Sequence, residues 1–140
     1  MTTTRSQRAY SQAIGIVGEV KDLKDNNSWK ASDVRKIYIG LWHSFPIMVM
    51  SSGLSQAVCY ERMKATSPGS RGAAHTRLLR NCADILDYND LDTFVDQVVS
   101  AGTGKYMKMT RELLRVAPYV THMAEALLDD GDENHGAAGA

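Results

Sequence analysis

Gly102-Thr103-Gly104-Lys105 ends the way a phosphate-binding loop ends. Such a loop cradles phosphates with backbone amides, places a lysine on the outer phosphates and gives a hydroxyl to magnesium. The full pattern also needs a glycine five positions before its last one and Ser or Thr after the lysine. Those positions hold Val99 and Tyr106, so the segment reads as a loop leading into a helix. Helical bundles can hold paired metals through Glu-x-x-His pairs on facing helices. His122 and Glu125 have that spacing once and in reverse order, and His43 and His75 have no carboxylate at ligand spacing; His135 lies in the acidic tail. All four histidines are therefore expected to be satisfied or exposed side chains. A Ser/His/Asp triad is a spatial arrangement, and scattered members of it in a sequence define nothing. Cys59 and Cys82 lie outside any C-x-x-C pair, which argues against a zinc or redox motif. Both fall on apolar stripes and are expected to be buried free thiols. Nothing in these spacings supports an enzyme, and none of them calls for a metal or a cofactor.

The cations are better organised. At 100° per residue, Lys105, Lys108, Arg111 and Arg115 fall within about 120° of arc on one helix. They lie opposite an apolar stripe centred near Leu113 and Val120. A row of cations spaced near a helical turn can follow a phosphate backbone. The same row is also compatible with a solvated face, with Glu112 paired to Lys108 and Arg115. Arg77 and Arg80 make a shorter stripe that Asp84 and Asp87 continue. Arg5 and Arg8 share one face of the first helix, and Arg71 is expected in a loop. The 140 residues hold 16 Lys+Arg and 16 Asp+Glu, but the net charge of zero is a cancellation. Residues 1–80 carry +7, residues 81–100 carry −5 from five aspartates, residues 101–128 carry +2 and residues 129–140 carry −4. This excludes a strongly cationic free RNA binder and leaves room for a local basic face.

The elements that must position these residues are helical. Ala9, Ala13, Ile16, Val20 and Leu23 follow a helical period, and Asp25-Asn26-Asn27 is a turn. Ser32 is a candidate cap for a second helix carrying Val34, Ile37, Tyr38, Leu41 and Phe45. At Pro46 either a new helix starts or one long helix kinks, and the stripe continues through Ile47, Met50, Leu54, Ala57 and Val58. Thr66–Gly72 is the clearest loop. A fourth helix is expected over about 73–86, then a short helix capped by Asp90. A last helix carries Tyr106, Met109, Leu113, Val116, Val120, Ala124 and Leu127, and Pro118 should kink it. The expected fold is all-α, a compact single-domain bundle of five or six helices over residues 1–128, followed by an acidic disordered tail at 129–140. No apolar run approaches the roughly 18 residues of a membrane span, and the polar N-terminus lacks a signal-peptide core. A cytoplasmic protein is expected.

Three blocks carry a family resemblance. Phe45-Pro46-Ile47-Met48-Val49-Met50-Ser51-Ser52-Gly53-Leu54-Ser55-Gln56-Ala57-Val58 has an apolar residue and proline before an apolar run, then Gly-Leu-x-Gln-small. Lys105-Tyr106-Met107-Lys108-Met109-Thr110-Arg111-Glu112-Leu113-Leu114 resembles a Tyr-basic-x-Thr-x-Glu-apolar helix, and Met123-Ala124-Glu125-Ala126-Leu127-Leu128 resembles a Phe-Ala-x-Ala-Leu ending. In order and spacing, over roughly Arg5 to Leu128, the chain resembles the small all-helical subunit of type III-B CRISPR–Cas (Cmr) effector complexes. The resemblance implies a non-catalytic subunit that stacks along the backbone of an RNA-guided ribonucleoprotein in antiviral defence. Its implied partners are the backbone and large subunits, copies of itself, and guide and target RNA, with no membrane. The matching basic positions are Lys105, Lys108 and Arg111; Arg115, Arg77 and Arg80 complete the candidate RNA-binding set. Two departures stand out: Thr121 and His122 occupy positions the family often fills with basic residues, and Pro118 enters a helix the family usually keeps regular. The alternative reading is a helical protein–protein adaptor with no nucleic-acid contact, motivated by the five-aspartate segment and the acidic tail.

Overall fold

A capping box starts the first helix. Thr4 Oγ1 accepts from the Gln7 N–H at 3.0 Å, and Gln7 Oε1 accepts from the Thr4 N–H at 2.8 Å. The computed structural model describes residues 4–128. Its helices are α1 (Arg5–Lys21), α2 (Ala31–Ser52), α3 (Leu54–Lys64), α4 (Gly69–Ile85), α5 (Leu91–Ser100) and α6 (Thr103–Leu128), and no strand occurs among the described residues. The expected all-α class is what the chain adopts. The tail expected at 129–140 lies outside the described residues.

Several boundaries differ from expectation for local reasons. Lys30, not Ser32, precedes α2, and Asp25 Oδ1 takes up the Ala31 N–H at 2.8 Å from six residues upstream. Pro46 neither restarts the helix nor ends it; α2 runs unbroken to Ser52. The break comes at Gly53, whose φ of 91° favours glycine. The continuity of α2 corrects the apolar stripe. At 100° per residue, Ile47 and Met50 stand about 200° and 140° round from Phe45, and they are 62% and 67% exposed. Val49 takes the inward place instead.

Helix α4 begins at Gly69, so the loop is shorter than Thr66–Gly72, and Arg71 lies in the first turn of the helix. Gly72 permits this tight entry, because a Cβ there would stand 1.8 Å from the Ser67 carbonyl oxygen. Asp90 caps α5 as expected, accepting from the Thr93 N–H at 2.7 Å. Pro118 sits on the exposed side of α6, which stays helical through it.

The core is built where α6 packs along α1 and α2, and α2 packs on α4. Met109, Leu113, Val116, Val120, Ala124 and Leu128 bury the inner face of α6, with Leu128 rather than Leu127 at the last position. Tyr38, Trp42 and Phe45 form an edge-to-face ladder at the centre, with ring centroids 6.4 and 5.9 Å apart. Cys82 is buried, as expected. Cys59 is exposed, because Ala57 and Val58 claim the inner face of α3 and the next residue turns outward. Arg35 reaches back across the chain to the carbonyls of Val20, Lys21 and Leu23 at 3.3, 2.9 and 2.7 Å and so closes the C-terminal end of α1.

Candidate nucleic-acid interface

Packing α1 on α6 sets two basic faces side by side. Arg115 Nη1 donates to the Arg5 carbonyl at 3.0 Å and fixes the start of α1 to the middle of α6. A surface groove of about 1210 Å³ opens between α1, α6 and the turn after α4. Arg5, Arg8, Lys105, Lys108, Arg111 and Arg115 line it, against two acids, Asp87 and Glu112.

The cations of the groove are not equivalent. Arg115 is half-buried and held by Glu112, with Nη2–Oε1 at 2.5 Å and Nε–Oε2 at 3.3 Å. It is a strut between helices as much as a free charge. Lys105 donates to Gln97 on α5. Glu112 bridges to Arg115 and not to Lys108. Among the described residues, the exposed Lys108 and Arg111 make neither a salt bridge nor a side-chain hydrogen bond. Arg77 and Arg80 stand apart from the groove. Arg77 faces Glu19 of α1 at 3.8 Å, and Arg80 is exposed on α4. Partial burial, then the charge of Glu19, pushes the Asp84 carboxyl up, while Arg77 and Arg80 pull it down. Arg5 and Arg8 join the groove although they were not in the candidate set. Their shared face was legible, but the pairing of that face with a helix a hundred residues later was not.

The third wall of the groove is a helix ending. Helix α4 closes in a Schellman motif: the Tyr88 N–H donates to the Ala83 carbonyl at 2.8 Å and the Asp87 N–H to the Asp84 carbonyl at 3.1 Å. Asp87 takes the left-handed position, φ 64°, that glycine usually fills. This turn presents Ile85, Leu86 and Tyr88 to the groove.

The Gly-Leu-x-Gln block and the Tyr-basic block meet directly. The Tyr106 hydroxyl accepts from the Ser55 N–H at 2.9 Å and stands 3.3 Å from where a Cβ on Gly53 would be; the Ser55 side chain first, and then this N–H, lower its pKa. This contact holds the start of α6, and with it Lys105 and Lys108, against the α2–α3 junction.

Two of the histidines have found carboxylates across helices. His75 Nδ1 and Glu61 Oε1 are 2.7 Å apart and both side chains are buried between α3 and α4. Burial pushes the Glu61 carboxyl up, against the lowering effect of its hydrogen bond to His75. His43 Nε2 and Glu125 Oε1 are 2.5 Å apart at the edge of a smaller cleft of about 480 Å³ between α2 and α6. His122 lines that cleft, and Thr121 turns inward to donate to the Trp42 carbonyl at 3.1 Å. Among the described residues, no three His, Cys, Asp or Glu side chains are placed to hold a metal ion, and no helix is long and apolar enough to cross a membrane.

Six helices without a strand among the described residues, and a basic groove between the first and last of them, define a small helical subunit of the kind the sequence motifs suggest. The family described as CRISPR-associated protein (Cas_Cmr5) matches residues 5–127. The CRISPR system Cmr subunit Cmr5 of Thermus thermophilus is 33% identical over 86 residues, which cover 61% of this chain and 69% of the relative. The crystal structure of a CRISPR-associated Cmr5 family protein from Thermus thermophilus superposes with a TM-score of 0.72 at 28% identity, covering 91% of this chain and all of that one. The chain belongs to the Cmr5 family, the small-subunit family of type III-B CRISPR Cmr complexes.

Proposed function

We propose that this protein is a non-catalytic subunit of an RNA-guided type III-B effector ribonucleoprotein, where it packs along the backbone and helps hold guide and target RNA. The observation that carries the RNA contact is the basic groove, above all the exposed and uncompensated Lys108 and Arg111 beside Lys105. Arg5 and Arg8 extend the positive field across the groove to α1. Cations at this spacing bind phosphates without reading sequence, which suits a subunit that must accept any guide. With four to six cations on one face and acids elsewhere, each copy binds RNA weakly. Strong capture then arises when several copies act on one strand. Arg77, with Glu19 beside it, and Arg80 serve better at a protein contact than at the RNA. The exposed Ile47 and Met50 near the smaller cleft give a second, apolar surface for neighbouring subunits.

The test is photo-crosslinking of thiouridine-substituted target RNA in the reconstituted complex. Crosslinked peptides should come from the groove, covering Arg5–Arg8 or Lys105–Arg115. Crosslinks confined to other subunits, with this chain still present, would support the adaptor reading and refute RNA contact.

A further inference from the structure

We infer that Tyr88 is a stacking platform for an unpaired base, so that the groove takes single-stranded RNA rather than a duplex. The inference rests on the RNA-contact reading and narrows its ligand. Phosphate binding accounts for the cations of the groove but not for its opposite wall. That wall is the turn after α4, with the half-buried Leu86 and Tyr88 beside the buried Ile85. An apolar and aromatic wall facing a row of cations is the arrangement by which single-strand binders hold bases on one side and the backbone on the other.

Tyr88 is built to hold still. Its backbone N–H is tied to Ala83 by the Schellman turn, and its ring rests on the fully buried Phe94, with centroids 6.0 Å apart and planes tilted by 45°. One side of the ring is thus backed by the core, and the residue is left half-buried at the groove. Among the described residues its hydroxyl has no hydrogen-bond partner to dictate its place, so the ring itself is what the turn positions. Asp87, next to it, repels phosphate from the turn and leaves the α1–α6 side for the backbone. A volume of about 1210 Å³ exceeds the usual range of small-molecule pockets. It admits a few nucleotides of one strand. In a duplex the bases are stacked inward and offer no free face to a tyrosine.

The test is fluorescence anisotropy of the isolated protein with an oligouridylate of about 12 nucleotides, within the site sizes of single-strand binders. The same measurement is made with an abasic RNA of equal length and with a duplex. Tyr88→Leu should weaken oligouridylate binding about five- to a hundredfold, the range for one lost stack, while Tyr88→Phe should bind as the wild type does. The wild type should lose a similar factor on the abasic strand, and Tyr88→Leu should lose no more there. Wild-type binding to abasic RNA or duplex as tight as to oligouridylate would overturn the inference without needing any variant. If Lys105→Glu/Lys108→Glu/Arg111→Glu abolishes binding and Tyr88→Leu does not, the RNA contact stands and the stack is wrong. If neither variant changes binding, the RNA-contact reading fails with it.

Discussion

Asp87 occupies a backbone position that suits glycine and carries a negative charge into a basic groove. A left-handed residue other than glycine costs about 1–2 kcal/mol, somewhat less for aspartate. Asp87→Gly should therefore leave thermal stability within about 1 kcal/mol of wild type, since relief of strain offsets the greater freedom of glycine in the unfolded chain. It should also tighten RNA binding at low salt. A large loss of stability in a thermal melt would mean that the carboxylate itself holds the turn. Gly53 is the opposite case. Its φ of 91° and ψ of 159° belong to a region open essentially to glycine alone. Gly53→Ala should cost about 1–3 kcal/mol, read as a drop of a few degrees in melting temperature per kcal/mol. Unchanged melting would show that the α2–α3 break does not depend on this residue. The glycine of the Gly-Leu-x-Gln block was legible as a motif. Its reason, a sharp break pressed against the Tyr106 hydroxyl, was not, because Tyr106 lies more than a third of the chain away.

Helices α3 and α4 are joined by the buried Glu61–His75 pair. Removing one partner of a buried pair leaves the other uncompensated, so His75→Ala should destabilise by about 3–5 kcal/mol. Burial raises the Glu61 pKa above its ordinary 4.5, so the folded state favours the protonated carboxyl. The sign follows from linkage: this contribution is complete below about 4.5 and is lost as pH rises through the folded-state value. Urea unfolding should therefore show the advantage of wild type over Glu61→Gln shrinking as pH rises from about 4 toward neutrality. An advantage constant across that range would contradict the assigned titration. At this scale much was legible. Helical periodicity placed the elements, and Asp90 was readable as a cap. The Thr4–Gln7 capping box has its residues at the right spacing in the sequence, but Thr and Gln at that spacing are common enough that only the fold singles them out. The start of α2 was misplaced because its cap comes from Asp25, outside the helix, rather than from Ser32. The sequence allows either a restart or a kink at Pro46 and a kink at Pro118. Each helix accommodates its proline, and the interruption falls on Gly53, where the backbone must reverse sign.

Across the whole molecule, the zero net charge resolves into separated surfaces. The groove of α1 and α6 is positive apart from Asp87 and Glu112, and the rest of the α4–α5 region carries Asp84, Asp90, Asp92 and Asp96. Opposite charge on different faces favours head-to-tail assembly of copies. Asp84→Asn/Asp96→Asn, which spares the Asp90 cap and the Arg62–Asp92 bridge, should weaken association of copies at low salt. No change in sedimentation would remove charge as the joining force. The all-helical class was legible because burying one face of each helix leaves a strong 3.6-residue signal. The groove was only half legible. The α6 cations announced themselves by spacing, but Arg5 and Arg8 join them through a tertiary contact that no local pattern encodes. Cys59 failed for a related reason, since apolar neighbours do not say which of three consecutive residues turns outward. The central claim is that the groove binds RNA phosphates within the assembled effector. Its most direct test is the salt dependence of target capture by the reconstituted complex carrying Lys105→Glu/Lys108→Glu/Arg111→Glu. Each single-strand phosphate contact contributes about 0.7 to the slope of log affinity against log salt. Capture should weaken, and the slope should fall by about 2 for each affected copy in contact with RNA. An unchanged affinity and slope, with the variant fully incorporated, would contradict the account.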